Sequence, residues 1–371
     1  MTTSFGMNGS TTDLVALALL GLTACEYTEG HEMPFTLRGV PGPEGPKVRP
    51  EGHSVRYTAI AALGLGRQPE HVQREALGGT DAATMARSCL TLATASTDAG
   101  AHALALWAAA EVAGATDDAL AARLLDAVRR PSLPTVDCAW AVVAGLAMPD
   151  GSTGSSLAKE GIARLLAHQS PTGTFPHLLP PSEGFRGHVG SFADQIYPIH
   201  AFVRFAAATG DSAAMAAAET TARRIVELQG AAGQWWWHYD ARTGDVVERY
   251  PTYSVHQHGM APMVLSELAA AGGTDHREAV QRGFDWLGTH PECMEPLVAP
   301  NLGVVWRKVG RREPFKAARA AGAVASRVRP GLQVPFVDQI WPAGRVDYEC
   351  RPYELGWLLY ASHVMREGRS A

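Results

Sequence analysis

Two copies of one short pattern place carboxylates where a catalytic site could use them. The pattern Phe-x-Asp-Gln-Ile-aromatic-Pro occurs at residues 192–198 and again at 336–342. Proline is accepted in the first turn of a helix, so we expect Asp194 and Asp338 in loops that approach helix starts. Two carboxylates facing one opening can act as acid and base, or can bind hydroxyl groups. The alternative is a repeated turn in which Asp and Gln bind backbone N–H groups.

A histidine pair lies in the next segment that leads into a predicted helix. Residues 250–258 contain Tyr253, His256 and His258. Histidines two residues apart do not share a helix face, so a metal site would need loop geometry, and we predict no metal. His256 is a candidate general base, and Tyr253 and His258 are candidate substrate-binding residues. The alternative is that the histidines are hydrogen-bonded residues of a polar opening.

One arginine and several aromatic side chains complete the candidate site. Arg351 lies among carboxylates just before the last apolar helix. It either forms structural ion pairs there or binds an anionic group through two hydrogen bonds. Aromatic faces can stabilise a carbocation or stack on a sugar, although most tryptophans in a core only pack. The aromatic candidates for substrate binding are Trp107, Trp140, Trp236, Tyr197 and Trp341.

Helical periodicity dominates the chain and must position these residues. Helices that are apolar nearly all round are predicted to be buried, and they are 53–65, 99–113, 134–148, 195–209, 254–271 and 352–364. Helices with one charged face are predicted to cover them, and they are 82–95, 116–130, 155–168, 212–228 and 275–288. This alternation predicts an all-α fold, a closed (α/α)6 toroid of inner and outer helices with long loops at one mouth. An open helical solenoid is the alternative.

The domain organisation follows from the same pattern. We predict one toroid domain over residues 1–371, in which residues 1–51 supply a helix and a loop that pack on the barrel. A further helix is expected at 313–327, and alternating strand patterns are nearly absent. The Pro-rich and Gly-rich segments 26–51 and 170–190 are too long for simple connections, so we expect them at the mouth.

A second repeat resembles a known family. The spacing Gln-x-x-x-Gly-x-aromatic occurs at 169–175 and at 229–235, each time after a helical segment. Glutamine can bond free carbonyls at a helix end, and glycine permits a turn with positive φ. The two copies resemble the repeats of the terpenoid cyclase superfamily, which includes squalene–hopene cyclases and protein prenyltransferase β subunits. The resemblance covers about the C-terminal two-thirds of the chain and implies an α/α toroid with a central cavity.

The resemblance also implies a catalytic acid. Class II terpene cyclases of that superfamily protonate their substrate with the middle Asp of an Asp-x-Asp-Asp motif at the start of an inner helix. Residues 134–140 resemble a degenerate copy with Asp137 in the donor position, and Thr135 and Cys138 replace the flanking carboxylates. A helix N-terminus stabilises the conjugate base of such an acid. The alternative is that Asp137 only favours the first helical turn.

Composition limits the partners. The 371 residues carry a formal net charge of −5 without a long basic run, which argues against nucleic acid as a main partner. No segment is long and apolar enough to be a transmembrane helix, and a peripheral membrane contact would serve only to collect a hydrophobic substrate.

The cysteines and the N-terminus indicate the compartment. Five dispersed cysteines indicate reduced thiols and a cytoplasmic protein. Residues 12–23 are predicted to be an ordinary first helix with Thr12 as its cap. They are not predicted to be a signal peptide, because residues 1–13 contain no Lys or Arg.

Together these features predict an enzyme that needs no metal and no organic cofactor. The leading prediction is proton-initiated cyclisation or isomerisation of a small, hydrophobic, isoprenoid-type substrate in the central cavity, with Asp137 as the acid. Asp194, Asp338 or His256 would be the alternative donor or the terminating base. The first alternative is a carbohydrate-active (α/α)6 barrel, a glycoside hydrolase, lyase or epimerase with paired carboxylates. The second is a non-catalytic toroid that binds a lipid or a partner.

Overall fold

The structure, a computed structural model, describes residues 4–7, 10–42, 45–149 and 151–367. A π-helical turn, His256–Met260, runs directly into α11, and a 3-10 turn spans Pro300–Leu302. The α-helices are α1 Leu14–Thr23, α2 Val55–Leu65, α3 Glu70–Ala76, α4 Ala82–Thr94, α5 Ala99–Ala113, α6 Asp118–Val128, α7 Thr135–Ala147, α8 Ser152–His168, α9 Phe192–Thr209, α10 Ser212–Glu227, α11 Ala261–Ala270, α12 Arg277–Thr289, α13 Ala317–Val328, α14 Val337–Ile340 and α15 Pro352–Glu367.

Short antiparallel strands connect many of the helices. They are β1 Ser4–Met7, β2 Ser10–Asp13, β3 Thr36–Val40, β4 Lys47–Glu51, β5 Leu133–Pro134, β6 Leu178–Leu179, β7 Val189–Ser191, β8 His238–Asp240, β9 Val246–Glu248, β10 Thr252–Tyr253, β11 Val298–Ala299, β12 Val304–Val305, β13 Lys308–Arg311, β14 Ala343–Asp347 and β15 Glu349–Cys350. They form small sheets in the orders β1-β2, β10-β13-β14, β11-β12, β15-β3-β4, β5-β6 and β7-β8-β9. These strands escaped the sequence prediction because two to five residues are too few to show alternation.

The inner helices form a closed ring. Helices α2, α5, α7, α9, α11 and α15 each pack on the next, and α15 packs on α2 to close the circle. Helices α4, α6, α8, α10 and α12 alternate with them along the chain on the outside, and α1 packs on α15 as the sixth outer element. The predicted (α/α)6 toroid is confirmed, and the open solenoid is wrong. Inner helices are buried nearly all round because the core touches one side and the outer helices touch the other.

Glycine permits the closure of the ring. A Cβ atom on Gly356 of α15 would lie 2.6 Å from the carbonyl oxygen of Ile60 on α2. A Cβ atom on Gly64 of α2 would overlap the carbonyl oxygen of Gly356. The backbones of the first and last inner helices therefore approach each other more closely than any side chain allows.

Helix starts differ in detail from the predicted ones. Asp13, rather than Thr12, caps α1, since its Oδ1 accepts hydrogen bonds from the backbone N–H groups of Val15 at 2.9 Å and Ala16 at 3.2 Å. Helix α9 begins at Phe192 instead of residue 195, because Ser191 caps it. None of the helices in the described ranges has the length and apolar character needed to cross a membrane.

Several of the short strands lie together at one mouth of the toroid. Strands β5, β7, β10 and β15 directly precede α7, α9, the π-helical turn and α15, so they lie at the N-terminal ends of inner helices. The two long Pro-rich segments pair with them there, β6 with β5 and β3 with β15. Both segments therefore reach this mouth, where inner-helix N-termini also favour negatively charged groups.

Candidate active site

Asp137 is buried at the mouth in the first turn of α7. Arg56, in the first turn of α2, lies beside it, with Nη1 3.1 Å from Oδ1 and Nη2 3.3 Å from Oδ2. Arg56 also forms a two-point ion pair with Asp98, the N-cap of α5. Burial raises the pKa of the Asp137 carboxyl, and the Arg56 charge opposes that rise without cancelling it. A raised pKa is the property expected of a carboxyl that donates a proton.

Asp194 is fully buried in the first turn of α9. Its Oδ2 accepts hydrogen bonds from the backbone N–H of Ser191 at 2.7 Å and from the Ser191 hydroxyl at 2.8 Å. Both carboxylate oxygens also lie 3.3 Å from Nδ1 of His177. Asp194 therefore satisfies the helix start, as the alternative interpretation expected, and still presents its carboxylate to a titratable partner.

His177 connects the two carboxyls. The backbone N–H of Thr135 donates to the His177 carbonyl at 2.9 Å, and the Thr135 hydroxyl donates to the Pro176 carbonyl at 2.6 Å. These bonds hold the loop of His177 against the start of α7. The hydrogen bond to Asp194 raises the pKa of His177, and a positive charge on His177 also acts to lower the pKa of Asp137. His177 is therefore hydrogen-bonded to Asp194, and its charge also acts on the Asp137 carboxyl.

Aromatic rings from three inner helices form a series of contacts that begins one turn after Asp137. Trp140, one turn after Asp137, packs edge-on against Tyr197 of α9 with ring centroids 4.9 Å apart. Tyr197 in turn lies 6.2 Å from Trp357 of α15. The Arg56 guanidinium covers the Trp140 ring at 5.3 Å. The predicted binding residues Trp140 and Tyr197 thus lie beside the buried acid.

Arg351 takes a position at the edge of the mouth. Its Nη1 donates to the Tyr57 hydroxyl at 2.7 Å, and its guanidinium lies 4.2 Å above the ring of Phe35. Tyr57 stacks on Tyr353 at 4.7 Å. Arg351 is also 3.7 Å from Glu349, so its structural ion pair forms as the alternative interpretation described.

The opposite side of the mouth is formed by Trp237 and Tyr253. Trp237 stacks on His238 at 3.8 Å and meets Tyr253 edge-on at 5.7 Å. The backbone N–H of Phe192 donates to the Trp237 carbonyl at 2.7 Å, which places Trp237 beside the first turn of α9. Burial and the charge of Arg186 hold the pKa of His238 well below its usual range.

The two predicted histidines are buried and uncharged. His256 packs on Phe192 at 4.4 Å and on Tyr253 at 5.1 Å, and burial lowers its pKa to about 3. Burial also lowers the pKa of His258 to about 3. Neither ring nitrogen of His258 has a hydrogen-bond partner within the described part of the chain. Both imidazoles are therefore neutral near neutral pH, and His256 is the one that faces aromatic residues of the mouth.

The second Phe-x-Asp-Gln-Ile copy folds differently from the first. Asp338 lies on the single turn α14, half exposed, with its Oδ1 2.6 Å from Nη1 of Arg311. Trp341 follows this turn, and its carbonyl accepts a hydrogen bond from Arg311 at 3.1 Å. Arg311 also pairs with Glu248 at 3.1 Å. Asp338 is thus held in an ion-pair group and does not begin an inner helix as Asp194 does.

Two predicted tryptophans lie away from the paired carboxyls. Trp107, in the second half of α5, is fully buried, and its indole N–H donates to Glu111 at 2.7 Å. Trp236 packs edge-on against Tyr250 at 5.9 Å and lies beneath Arg249 at 5.4 Å. Of the two adjacent tryptophans Trp236 and Trp237, Trp237 lies at the mouth, although it was not among the predicted binding residues.

Some functional candidates escaped the sequence analysis. Two sequence features could have identified Arg56 and Asp98 as candidates. Arg56 is a cation in the first turn of an otherwise apolar helix, and Asp98 ends a Ser-x-Asp segment that precedes a helix. His177 lies in a loop with no motif of its own. Glu354 is fully buried in the first turn of α15, 3.6 Å from Arg307, and burial raises its pKa to about 7.

No cluster of three or more side chains suited to hold a metal ion occurs in the ranges that the structure describes. The five cysteines are free, and burial raises the pKa of Cys138, the one that follows Asp137. The prediction that the protein works without a metal or an organic cofactor stays a prediction.

Comparison with known proteins finds structural neighbours of the chain among carbohydrate-active enzymes. No protein-family model matches the sequence, and no curated protein matches it either. An unsaturated glucuronyl hydrolase specific for heparin is 16% identical with a TM-score of 0.56, covering 96% of this chain and 96% of that one. Another, from Bacillus sp. GL1, is 12% identical with a TM-score of 0.54 and covers 96% of each chain. A possible GH105 member from Klebsiella pneumoniae is 10% identical with a TM-score of 0.55, covering 95% of this chain and 92% of its own.

These neighbours correct the resemblance drawn from the repeat motif. The assignment to the terpenoid cyclase superfamily is wrong, and so are isoprenoid cyclisation and a hydrophobic isoprenoid partner. The two Gln-x-x-x-Gly-x-aromatic copies led to the wrong family because they connect helices. α/α toroids need such connections whatever reaction they catalyse, so the motif indicates the fold and not the function. At these identities the similarity establishes architecture: the chain has the (α/α)6 toroid fold of the unsaturated glucuronyl hydrolases.

Proposed function

We propose that this protein is a glycoside hydrolase that releases an acidic sugar from the end of an oligosaccharide. The observation that carries the proposal is that Asp137 and Asp194 are both buried in the first turns of neighbouring inner helices at one mouth of the toroid, where His177 bonds Asp194 and its loop is held at the start of α7. Most glycoside hydrolases use a pair of carboxyl groups to cleave the glycosidic bond, and here the pair lies at a mouth lined by aromatic rings.

The two carboxyls differ in environment, which suggests separate roles. Asp137 has a raised pKa because it is buried, so we assign it the proton that passes to the oxygen of the breaking C–O bond. Water supplies the oxygen that joins the sugar carbon. Asp194 accepts several hydrogen bonds, and with His177 it is placed to orient that water and take its proton. Each turnover then consumes one water, and before the next one Asp194 and His177 release the proton they took and Asp137 regains a proton from solvent.

The surroundings suit an acidic sugar. Trp140 and Trp237 supply flat apolar faces, on which sugar rings stack. Arg186 forms no ion pair with any residue that the structure describes, and burial together with the charge of Arg319 lowers its pKa. A half-buried guanidinium that donates only to a backbone carbonyl within the described ranges, together with several inner-helix N-termini, favours a carboxylate nearby. The neighbours' names describe hydrolases of unsaturated glucuronyl groups, which are acidic sugars of this kind.

The proposal is tested by direct assay. The purified protein is incubated with unsaturated uronyl disaccharides prepared from heparin, chondroitin and pectin, and products are identified by mass spectrometry. The released unsaturated uronic acid opens and tautomerises to an α-keto acid that lacks the conjugated double bond, so the fall in ultraviolet absorbance gives the rate. We expect turnover of at least one disaccharide, and a loss of at least about a hundredfold in kcat for Asp137→Asn, because the proton donor is removed.

Asp285→Asn is the matched control, since Asp285 lies exposed on outer helix α12, where its carboxylate accepts a hydrogen bond from Gln281. It is expected to retain wild-type kcat. Full activity of Asp137→Asn would reject the assigned acid. Absence of turnover and of binding across the panel would favour a toroid without catalysis.

A further inference from the structure

The segment between β13 and β14 exposes more large apolar side chains than the rest of the described chain. Eleven such side chains are exposed in the ranges that the structure describes, and six of them lie within residues 315–340. These six form the apolar face of the segment, and they are Phe315, Val324, Val328, Leu332, Phe336 and Ile340. They present roughly 400–700 Å² to solvent, on a scale of about 200 Å² for an exposed Phe and about half of that for an aliphatic side chain. Soluble monomers rarely expose apolar patches larger than a few hundred Å², and larger patches mark contact sites.

Helix α13 is fastened to the toroid by its inner side. The buried residues of this helix are Ala318, Gly322, Ala323 and Ser326. A Cβ atom on Gly322 would lie 2.9 Å from the Val247 carbonyl oxygen of β9. The His188 imidazole is 2.7 Å from the Ser326 hydroxyl, and Arg242 donates to the Ser326 carbonyl at 2.7 Å. The outward side of α13 is therefore held toward solvent.

That outward side is apolar, although the outward side of a surface helix is usually polar. Ala320, Val324 and Val328 follow one another at four-residue spacing, and all three are exposed. Outer helix α12 shows the usual pattern, since its exposed residues include Glu278, Gln281, Arg282 and Asp285. On the short turn α14, Phe336 and Ile340 are likewise four residues apart, and they are 71% and 62% exposed. The segment thus presents to water the kind of side chains that other outer elements bury.

The same segment is basic within an acidic chain. Residues 311–345 contain seven Lys or Arg and two acidic residues, whereas the whole chain has a net charge of −5. The segment therefore carries +5 and the rest of the chain carries −10. The exposed basic residues that form no ion pair with any residue in the described ranges include Arg312, Lys316, Arg327 and Arg329. These charges are complementary to the acidic remainder of another copy of the chain.

We propose that residues 315–340 form a contact between two copies of this chain, which pair with their apolar faces together about a two-fold axis. A second copy brings both an apolar face of the same size and an acidic remainder for the exposed arginines. A two-fold axis is the commonest symmetry of protein dimers, and it pairs the same patch on both copies. The two apolar faces, with the basic residues beside them, would exceed the area of about 1,000 Å² that a specific interface needs.

The contact lies next to the candidate active site. Lys316 and Arg319 line a cavity of about 730 Å³ that also has Trp237 and Tyr253 of the mouth in its wall. A second copy on the outward side of α13 would hold this wall in position. The inference does not depend on the proposed function, because the two copies would pair whatever reaction the mouth performs.

The mass of the purified full chain in solution tests the inference. Sedimentation velocity over a wide range of concentrations should give a species of twice the 39.4 kDa chain mass, which dissociates on dilution. Val324→Glu/Val328→Glu places two charges in the apolar face. It should raise the dissociation constant of the dimer by about tenfold or more, because these charges lose water on contact. Phe336→Ser, on the separate turn α14, should act in the same direction.

Ala213→Glu/Ala216→Glu is the matched control, since both alanines are exposed on outer helix α10. It adds the same charge away from the apolar face and should dimerise like the wild type. Circular dichroism checks that each variant is folded. A wild-type protein that is monomeric at every concentration would overturn the inference and leave the apolar face to a different protein. A dimer whose dissociation constant is unchanged in both variants of the apolar face would overturn it as well.

Discussion

At the scale of the residue, the chemistry depends on how Asp137 is kept ready to donate a proton. Burial raises its pKa, the nearby Asp98 charge acts in the same direction, and Arg56 acts against both. Arg56 pairs with Asp98 through two contacts and lies within 3.1 Å of Asp137. The arginine therefore sets the pH range in which the acid remains protonated.

Changing Arg56 should move the pH dependence of the reaction. In Arg56→Gln the opposing charge is lost, so the pKa of Asp137 rises further and the alkaline limb of kcat/KM shifts up by roughly one pH unit or more. Arg56→Lys keeps the charge and should shift the limb less. The measurement is kcat/KM against pH for the three proteins. An alkaline limb that stays in place in Arg56→Gln would show that Asp137 does not produce it.

At the scale of the element, the repeat motif fastens one helical hairpin to the next. The Gln229 amide donates to the Gly233 carbonyl at 2.9 Å and to the Ala279 carbonyl in α12 at 2.8 Å. Gln169 likewise donates to the Ala217 carbonyl in α10 at 2.9 Å. The glutamine thus bonds the following outer helix, whereas the sequence suggested the carbonyls at a helix end.

A second glutamine secures the aromatic residue of each copy. The backbone N–H of Phe175 donates to Gln195 at 2.7 Å, and that of Trp235 donates to Gln257 at 3.2 Å. Gln195 follows Asp194, and Gln257 follows His256. The repeat is therefore bonded to residues of the mouth. This explains why a structural motif lies beside the candidate catalytic residues.

Truncating the glutamine should destabilise the toroid. Gln229→Ala removes two partly buried hydrogen bonds to the Gly233 and Ala279 carbonyls, so the free energy of unfolding should fall by about 1–3 kcal/mol. Gln281→Ala is the matched control, because Gln281 is exposed and its side chain donates to the exposed Asp285. Urea unfolding followed by circular dichroism measures both. Equal stability of the two variants would contradict the role assigned to the repeat.

At the scale of the whole molecule, activity requires a closed ring, since the mouth residues come from inner helices far apart in sequence. Arg56 on α2 meets Asp137 on α7 and Asp98 before α5. The seam between α15 and α2 closes the circle, and Gly64 and Gly356 permit its close backbone contact. Any side chain at this seam has to push the two helices apart.

Adding a methyl group at the seam tests the closure. Gly356→Ala should lower the free energy of unfolding by about 1–3 kcal/mol, although alanine is the better helix former. Gly184→Ala is the control, because a Cβ there meets nothing closer than 3.8 Å. Thermal unfolding of both variants gives the comparison, and a Gly356→Ala protein as stable as the control would refute a tight seam.

The sequence by itself determined the helices and their arrangement in layers. The apolar segment 99–113 coincides with α5, and the segment 134–148 contains α7. A helix that is buried on all sides is apolar at nearly every position, so it can be recognised from its own segment of sequence. The same patterns located Asp137 and Asp194 near the starts of inner helices. They did not distinguish carbohydrate from isoprenoid chemistry, since both are compatible with an apolar helix preceded by an acid.

Tertiary structure alone decided which of these residues meet. Asp194 and Asp338 occupy identical local patterns, yet one begins α9 and the other lies on the isolated turn α14. His177 reaches Asp194 because β6 pairs with β5 and carries its loop to the mouth. A local pattern fixes the backbone within a few residues. Whether the site residues meet depends on the path that the long loops take across the toroid. No short segment of sequence specifies that path.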